Sequence, residues 1–203
     1  MDFQTSLFAD DTTDSVALSP ERRLLSHGAW VDVQRDWLPD PDAVFSALVE
    51  HVPWRAERRE MYDAVVDVPR LVHTYLGGQP LPHRALVEAR DALSEHYLPE
   101  LGEPFVTAGC CYYRDGHDSV AWHGDTIGRG RTADTMVAIV SVGDPRRLLL
   151  RPRGGGASIA LTMGHGDLVV MGGSCQRTWE HAVPKVAHAG PRISVQFRPL
   201  GVF

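Results

Sequence analysis

From about residue 105 to its end the chain is a succession of short β-branched and apolar runs: FVTAGCCYY, TMVAIVSVG, RRLLLRP, ASIALTM, DLVVMGG, TWEHAV and RISVQFRP. Gly, Pro and Asp turns separate them. Branched and aromatic side chains suit a pleated surface, and the turn residues interrupt it, so each run reads as a strand. Parallel strands need crossovers of a dozen or more residues, usually helical, and no such spacer lies between these runs. The pattern therefore predicts an antiparallel barrel or sandwich.

Upstream the period changes. Asp40-Pro41 followed by Val44, Phe45, Leu48, Val49 and Val52 has an N-cap residue, a proline in the first turn and helical spacing, which predicts a helix over about 41–51. Ala85, Leu86, Ala89, Leu93 and Tyr97 recur at three- and four-residue steps and predict a second helix over 83–97, packed outside the sheet. Residues 1–20 are polar, acidic and without period, and read as a tail. The expected architecture is α+β, helices first and strands second.

Several classes are excluded. A chain of 203 residues has room for one domain of ordinary size, and 43% hydrophobic with 23% charged residues is a globular composition. No apolar run reaches the ~20 residues that span a bilayer, and the start is acidic where a signal peptide is basic, so a cytoplasmic protein is expected. Three cysteines, two of them adjacent at Cys110 and Cys111, do not form a disulfide framework. A net charge of −6 argues against a broad electropositive footprint.

His123-Gly124-Asp125 is an H-x-D triplet, which on an extended strand would place an imidazole and a carboxylate on one face, where one cation can be held by both. A second copy stands at His165-Gly166-Asp167. The two differ in their distance from the next suitable histidine, because a facial site of two histidines and one carboxylate needs a distant histidine returned by barrel closure. His181 lies several predicted strands beyond Asp125, but only about one strand beyond Asp167. The later copy sits between two strand signals and is flanked by glycines, so it reads as a turn. Taken alone, His123 could equally be an ordinary core or surface histidine.

The last run alternates strictly. Ile193, Val195 and Phe197 fall on one face, and Arg192, Ser194, Gln196 and Arg198 on the other. A polar face can point into a small barrel only if an anion occupies the interior, since a buried unpaired guanidinium is costly. The other possibility is an edge strand with its arginines in water.

With these residues in view, the chain resembles the AlkB-like iron(II) and 2-oxoglutarate dependent dioxygenases, in particular the branch of nucleic-acid dealkylases. The resemblance runs from about Pro69 to Arg198, through PRLVHTYLGG at 69–78, YYRDGHDSVAWHGD at 112–125, GDLVVM at 166–171, WEHAVPK at 179–185 and RISVQFR at 192–198. It implies a double-stranded β-helix, or jelly roll, at about 101–203, preceded by helices and a substrate-recognition lid at about 21–100. It also implies His123, Asp125 and His181 as the iron ligands and Tyr113, Arg192 and Arg198 as contacts to 2-oxoglutarate. Cys111 and Ser194 stand where the family has asparagines. Tyr62, Arg70 and Tyr75 are the candidates for gripping a flipped base.

The activity implied is hydroxylation of a substrate C–H bond, coupled to oxygen and to decarboxylation of 2-oxoglutarate to succinate and carbon dioxide. On an N-methyl group it ends in release of formaldehyde. The expected partner is alkylated DNA or RNA, met by a monomer. Arginines 129, 131, 146, 147, 151 and 153 could touch phosphates or simply face solvent. Where dealkylating relatives carry acidic residues after the H-x-D, this chain has Thr126, Ile127 and Gly128. That leaves room for a modified tRNA, a protein or a small metabolite as substrate. A zinc hydrolase on the same three ligands would leave Arg192 unexplained, and a non-catalytic binding module is the remaining class.

Overall fold

The computed structural model describes residues 17–61 and 64–202, of which 57–61 and 64–68 are described by backbone alone. In chain order the elements are β1 (Glu21–Leu24), β2 (Ala29–Gln34), α1 (Pro41–His51), β3 (Arg55–Met61), β4 (Ala64–Tyr75) and α2 (Arg84–Leu101). They continue with β5 (Thr107–Tyr113), β6 (Val120–His123), β7 (Val137–Gly143), β8 (Arg146–Pro152) and β9 (Ile159–Met163). The last are β10 (Asp167–Gly173), α3 (Cys175–Thr178), β11 (Trp179–Val183) and β12 (Arg192–Arg198).

The strands form two sheets, one of eight strands in the order β1-β2-β10-β7-β12-β5-β4-β3 and one of four in the order β6-β11-β8-β9. All of these neighbours run antiparallel. The smaller sheet lies against one face of the larger, which is the jelly roll that the resemblance implies. α1 and α2 cover the other face.

Strand alternation divides the core in two. On β7, β10 and β12 the side chains Ala138, Val140, Val142, Leu168, Val170, Ile193, Val195 and Phe197 meet Val44 and Leu48 of α1 and Leu86, Ala89 and Leu93 of α2. The intervening residues Val137, Ile139, Val169 and Met171 point the other way and pack on Leu148, Leu150, Met163 and Trp179 of the smaller layer. Each large apolar side chain buried in this way is worth about 1.5–3 kcal/mol relative to exposure.

The first helix spans the expected residues. Its preceding Asp40 is left-handed (φ 47°), and its side chain makes no capping bond. The second helix begins one residue later than expected, because the His83 side chain accepts from the Ala85 N–H at 3.2 Å and acts as the cap. It continues past Tyr97 to Gly102, whose φ of 79° gives the left-handed stop that favours glycine.

The two helices expected before residue 100 are present, and strands that the sequence did not predict accompany them. Four strands from this half join the larger sheet, β2 on β10 and β4 on β5, with β1 and β3 outside them. β4 is hard to read because Pro69 interrupts it, and the β3–β4 register shifts across that stretch. The buried Asp32 of β2 also breaks an apolar reading, and its charge is met by Arg22 at 2.8 Å and by the Tyr97 hydroxyl at 2.9 Å. Most of the expected tail lies outside the described residues. Its end is tied down, since Gln34 accepts from Ser19 N–H at 2.8 Å and donates to the Ala17 carbonyl at 3.0 Å.

Candidate metal centre

β6 is an edge strand of four residues that, among the described residues, pairs only with β11, placing His123 opposite His181 and Val120 opposite Val183. Three steps on β6 therefore face two on β11, which is a β-bulge. In a regular strand, residues three apart point to opposite faces. The extra residue turns both Val120 and His123 inward, a use of bulges common beside active sites. His123 Nδ1 lies 2.9 Å from the Ala121 carbonyl oxygen, which can only accept, so Nδ1 carries the proton and Nε2 presents its lone pair.

Asp125 lies beyond the end of β6, so the expectation that a single extended strand presents both residues is corrected. Two bonds hold it in place. Gln176 Oε1 accepts from Asp125 N–H at 3.0 Å, and Arg198 Nε donates to Asp125 Oδ2 at 2.7 Å. Only glycine fits between the two ligands, because a Cβ on Gly124 would stand 2.7 Å from the Gln176 carbonyl oxygen.

Asp125 Oδ1 is 3.9 Å from His123 Nε2, and the two imidazole rings are 4.2 Å apart. The three donor atoms all lie within 4.8 Å of one another. Burial, and then the neighbouring His123, push the His181 imidazole down to about 3, and burial also lowers His123. Burial raises Asp125, but Arg198 and the two imidazoles outweigh it and hold the carboxyl at about 2. At neutral pH the set is two neutral imidazoles and one carboxylate, each in the form a metal requires. Two histidines and one carboxylate fit iron(II) and leave positions for other ligands.

The larger sheet supplies the opposite wall. Arg192, Ser194, Gln196 and Arg198 face the cavity from β12, with Cys111 and Tyr113 of β5 beside them. Arg192 is buried. Its Nε donates to Ser141 Oγ at 2.9 Å, while its Nη1 has no hydrogen-bond partner among the described residues. Its guanidinium carbon is 5.2 Å from the Tyr113 ring centre. Burial pushes the Tyr113 phenol up to about 12, which keeps its O–H as a donor. A buried cation with a spare donor, next to a neutral hydroxyl, is chemistry for an anion such as a carboxylate of 2-oxoglutarate.

Arg192 and His181 come from opposite sheets and meet across the cavity. The wall differs from expectation in two ways. Arg198 lines the cavity, yet its Nε is bonded to Asp125. Ser194 Oγ accepts from Gln196 Nε2 at 2.6 Å, and Cys111 Sγ lies 3.7 Å from Gln196 Oε1 and 3.4 Å from Arg70 Nε. The positions expected to carry asparagine are thus occupied by side chains joined through Gln196.

Of the substrate candidates, Tyr62 lies outside the described residues. Arg70 lines the cavity and also donates to the Ser119 carbonyl at 3.2 Å. Tyr75 is not brought to the site: it packs in the helix-side core, because alternation along β4 gives it the face opposite Arg70's neighbour Val72. Ile127, two residues after Asp125, is 67% exposed. His165 and Gly166 form the predicted turn between β9 and β10, with Gly166 at φ 83°.

The arginines separate as well. Arg146 is buried and points inward, so the expectation of a phosphate contact there is corrected. Arg151 bonds Glu180 and lies 4.1 Å over the Trp122 ring, Arg153 donates to the Gln176 carbonyl at 3.2 Å, and Arg129 pairs with Glu103. Arg131 and Arg147 are exposed. Sequence reasoning missed Gln176 and Ser141. The alternation of β7 places Ser141 inward with Ile139 and could have revealed it, whereas nothing in the sequence announces Gln176.

Residues 42–198 match the family model described as the 2OG-Fe(II) oxygenase superfamily. The chain is 30% identical over 185 residues to the bovine (Bos taurus) alpha-ketoglutarate-dependent dioxygenase alkB homolog 3, covering 79% of this chain and 62% of that protein. It is 28% identical over 238 residues to the Arabidopsis thaliana DNA oxidative demethylase ALKBH2, covering 96% of this chain and 74% of that protein. The solved structure of OsALKBH1 superposes with a TM-score of 0.58 at 14% identity, over 88% of this chain and 99% of that one, which shows the fold. The family match spans the bulged His123, the Asp125 loop, His181 and the β12 arginines alike, and on that basis the chain belongs to the 2OG-Fe(II) oxygenase superfamily and is AlkB-like.

Proposed function

We propose that this protein is an iron(II) and 2-oxoglutarate dependent dioxygenase that removes alkyl groups from nucleic-acid bases. The observation that carries the reading is the pairing of two features across one cavity. The donor atoms of His123, Asp125 and His181 lie within 4.8 Å of one another, and the buried Arg192 faces them with Nη1 lacking a hydrogen-bond partner among the described residues. A hydrolytic metal site needs the first feature and gives no role to the second.

Bound iron(II) and 2-oxoglutarate supply the oxidising chemistry, in which oxygen hydroxylates a substrate C–H bond while 2-oxoglutarate becomes succinate and carbon dioxide. The chain's residues bind and orient. His123, Asp125 and His181 hold the metal, Arg192 and the Tyr113 hydroxyl grip the distal carboxylate, and Arg198 fixes the Asp125 carboxylate in its ligating direction. A hydroxylated N-methyl carbon then collapses, with loss of formaldehyde and restoration of the base. The nucleic-acid half of the reading rests on the similarity to alkB homolog 3 and to a DNA oxidative demethylase. A second reading, hydroxylation of a modified tRNA, a protein or a small metabolite, is favoured by Thr126, Ile127 and Gly128, which offer no carboxylate to a cationic base.

The test is formaldehyde and succinate release from methylated DNA, methylated RNA and unmodified controls. Release from a methylated polymer, absent in His123→Ala, is expected. Succinate without formaldehyde on every polymer would favour the second reading, and a protein that binds no 2-oxoglutarate in the presence of iron(II) would overturn both.

A further inference from the structure

β6 poses a mechanical problem. It carries the ligand His123 on four residues, pairs among the described residues on one side only, and registers with β11 at just two positions, His123–His181 and Val120–Val183. So short an edge ladder holds a strand weakly. Something else must fix its direction.

Arg146, the first residue of β8, is 3% exposed and sits on the side of Tyr113 reached from the smaller sheet, its guanidinium carbon 5.6 Å from the ring centre. Its fork reaches three main-chain carbonyls. Nη1 donates to Asp115 at 3.0 Å, and Nη2 donates to Asp118 at 2.8 Å and to Pro184 at 2.7 Å. Asp115 and Asp118 belong to the loop that delivers the chain from β5 into β6, and Pro184 comes directly after the end of β11. One side chain thus ties together the start of the strand bearing His123, the finish of the strand bearing His181, and β8.

We infer that Arg146 is a positioning residue for the metal centre, a fork that fixes the bulged register of β6 on β11 and so aims His123 at His181. This rests on the metal-centre reading above and adds a residue that touches neither metal nor cavity. The Arg114–Asp118 pair (2.8 Å), the bond from Ser119 N–H to the Pro69 carbonyl (2.7 Å) and the bond from Val186 N–H to the Gly116 carbonyl (2.9 Å) secure the same loop; the last crosses to the segment after β11, but none of them includes β8. Arginine suits the task where lysine does not, because its planar donors address several carbonyls in different segments at once.

Cobalt(II) is the probe, since its visible absorption reports ligand geometry without turnover. Arg146→Met should bind cobalt(II) about 10- to 100-fold more weakly, the loss typical of removing an outer support of a metal ligand, and should shift the absorption bands. Arg146→Lys should fall between it and the unaltered protein. Leu93→Ala, which loosens the helix-side core, should lower the melting temperature and leave cobalt affinity and spectrum unchanged. An Arg146→Met protein with unaltered affinity and spectrum overturns the inference. If that variant does not fold, Arg146→Lys decides, and unaltered binding in it has the same force. If the unaltered protein binds no cobalt at all, the metal-centre reading falls and this inference falls with it.

Discussion

In the larger sheet the groups assigned to the cosubstrate stand on β5 and β12, each paired on both sides and backed by the helix-side core. In the smaller sheet His123 stands on a four-residue edge strand and His181 on its neighbour, with β8 and β9 alternating between buried and exposed positions. The first region takes its geometry from bulk packing. The second takes it from individual devices: a bulge, the Gln176 bond to the Asp125 backbone, and the Arg146 fork. Stability and metal affinity should therefore respond to different substitutions.

The sharpest separation comes from Phe197, fully buried on the helix-side face of β12. Phe197→Ala should cost about 3–5 kcal/mol of stability, read by denaturant unfolding, with metal and 2-oxoglutarate affinities of the folded fraction unchanged. His181→Ala should do the reverse, weakening iron(II) or cobalt(II) by at least about 100-fold, beyond the loss of an outer partner, with a smaller change in melting temperature. Comparable stability losses in both would erase the distinction between the sheets.

Arg192→Met should weaken 2-oxoglutarate by about 10- to 100-fold, as expected for a charge-assisted contact, and leave cobalt(II) affinity alone. The unliganded protein should be as stable or more stable, because the change removes a buried guanidinium with an unused donor. A gentler test uses the cysteines. Burial pushes the Cys175 thiol up to about 12 and raises Cys110 as well, whereas Cys111 lines the cavity. Iodoacetamide should label Cys111 first, and 2-oxoglutarate with metal should slow that reaction. Equal rates with and without ligand would place Cys111 away from the cosubstrate.

The strands from β7 to β12 were legible because each is a compact apolar run closed by turn residues, and β8 and β10 match their predicted runs to the residue. The alternation of β12 separated its dry and polar faces correctly, since both faces of that strand are in contact with something specific. β6 escaped the pattern because a bulge destroys period two, and β4 because a proline stands inside it. The metal ligands were readable as residue types, but the supports around them were not. Gln176 acts through its side chain on a main-chain N–H 51 positions away, and such a bond leaves no trace in local sequence.

The bulge also leaves a seam in the smaller sheet. With only two registered positions, the strand from Val120 to His123 is held to β11 by few cross-strand bonds. An ion bridging residues 123 and 181 would act as a rivet across that seam, so amide hydrogen exchange there would slow on loading while the β12 amides, locked between two neighbours, stayed as they were. Metal occupancy would then govern how long one wall of the barrel remains shut, and with it the span over which a protease finds no foothold.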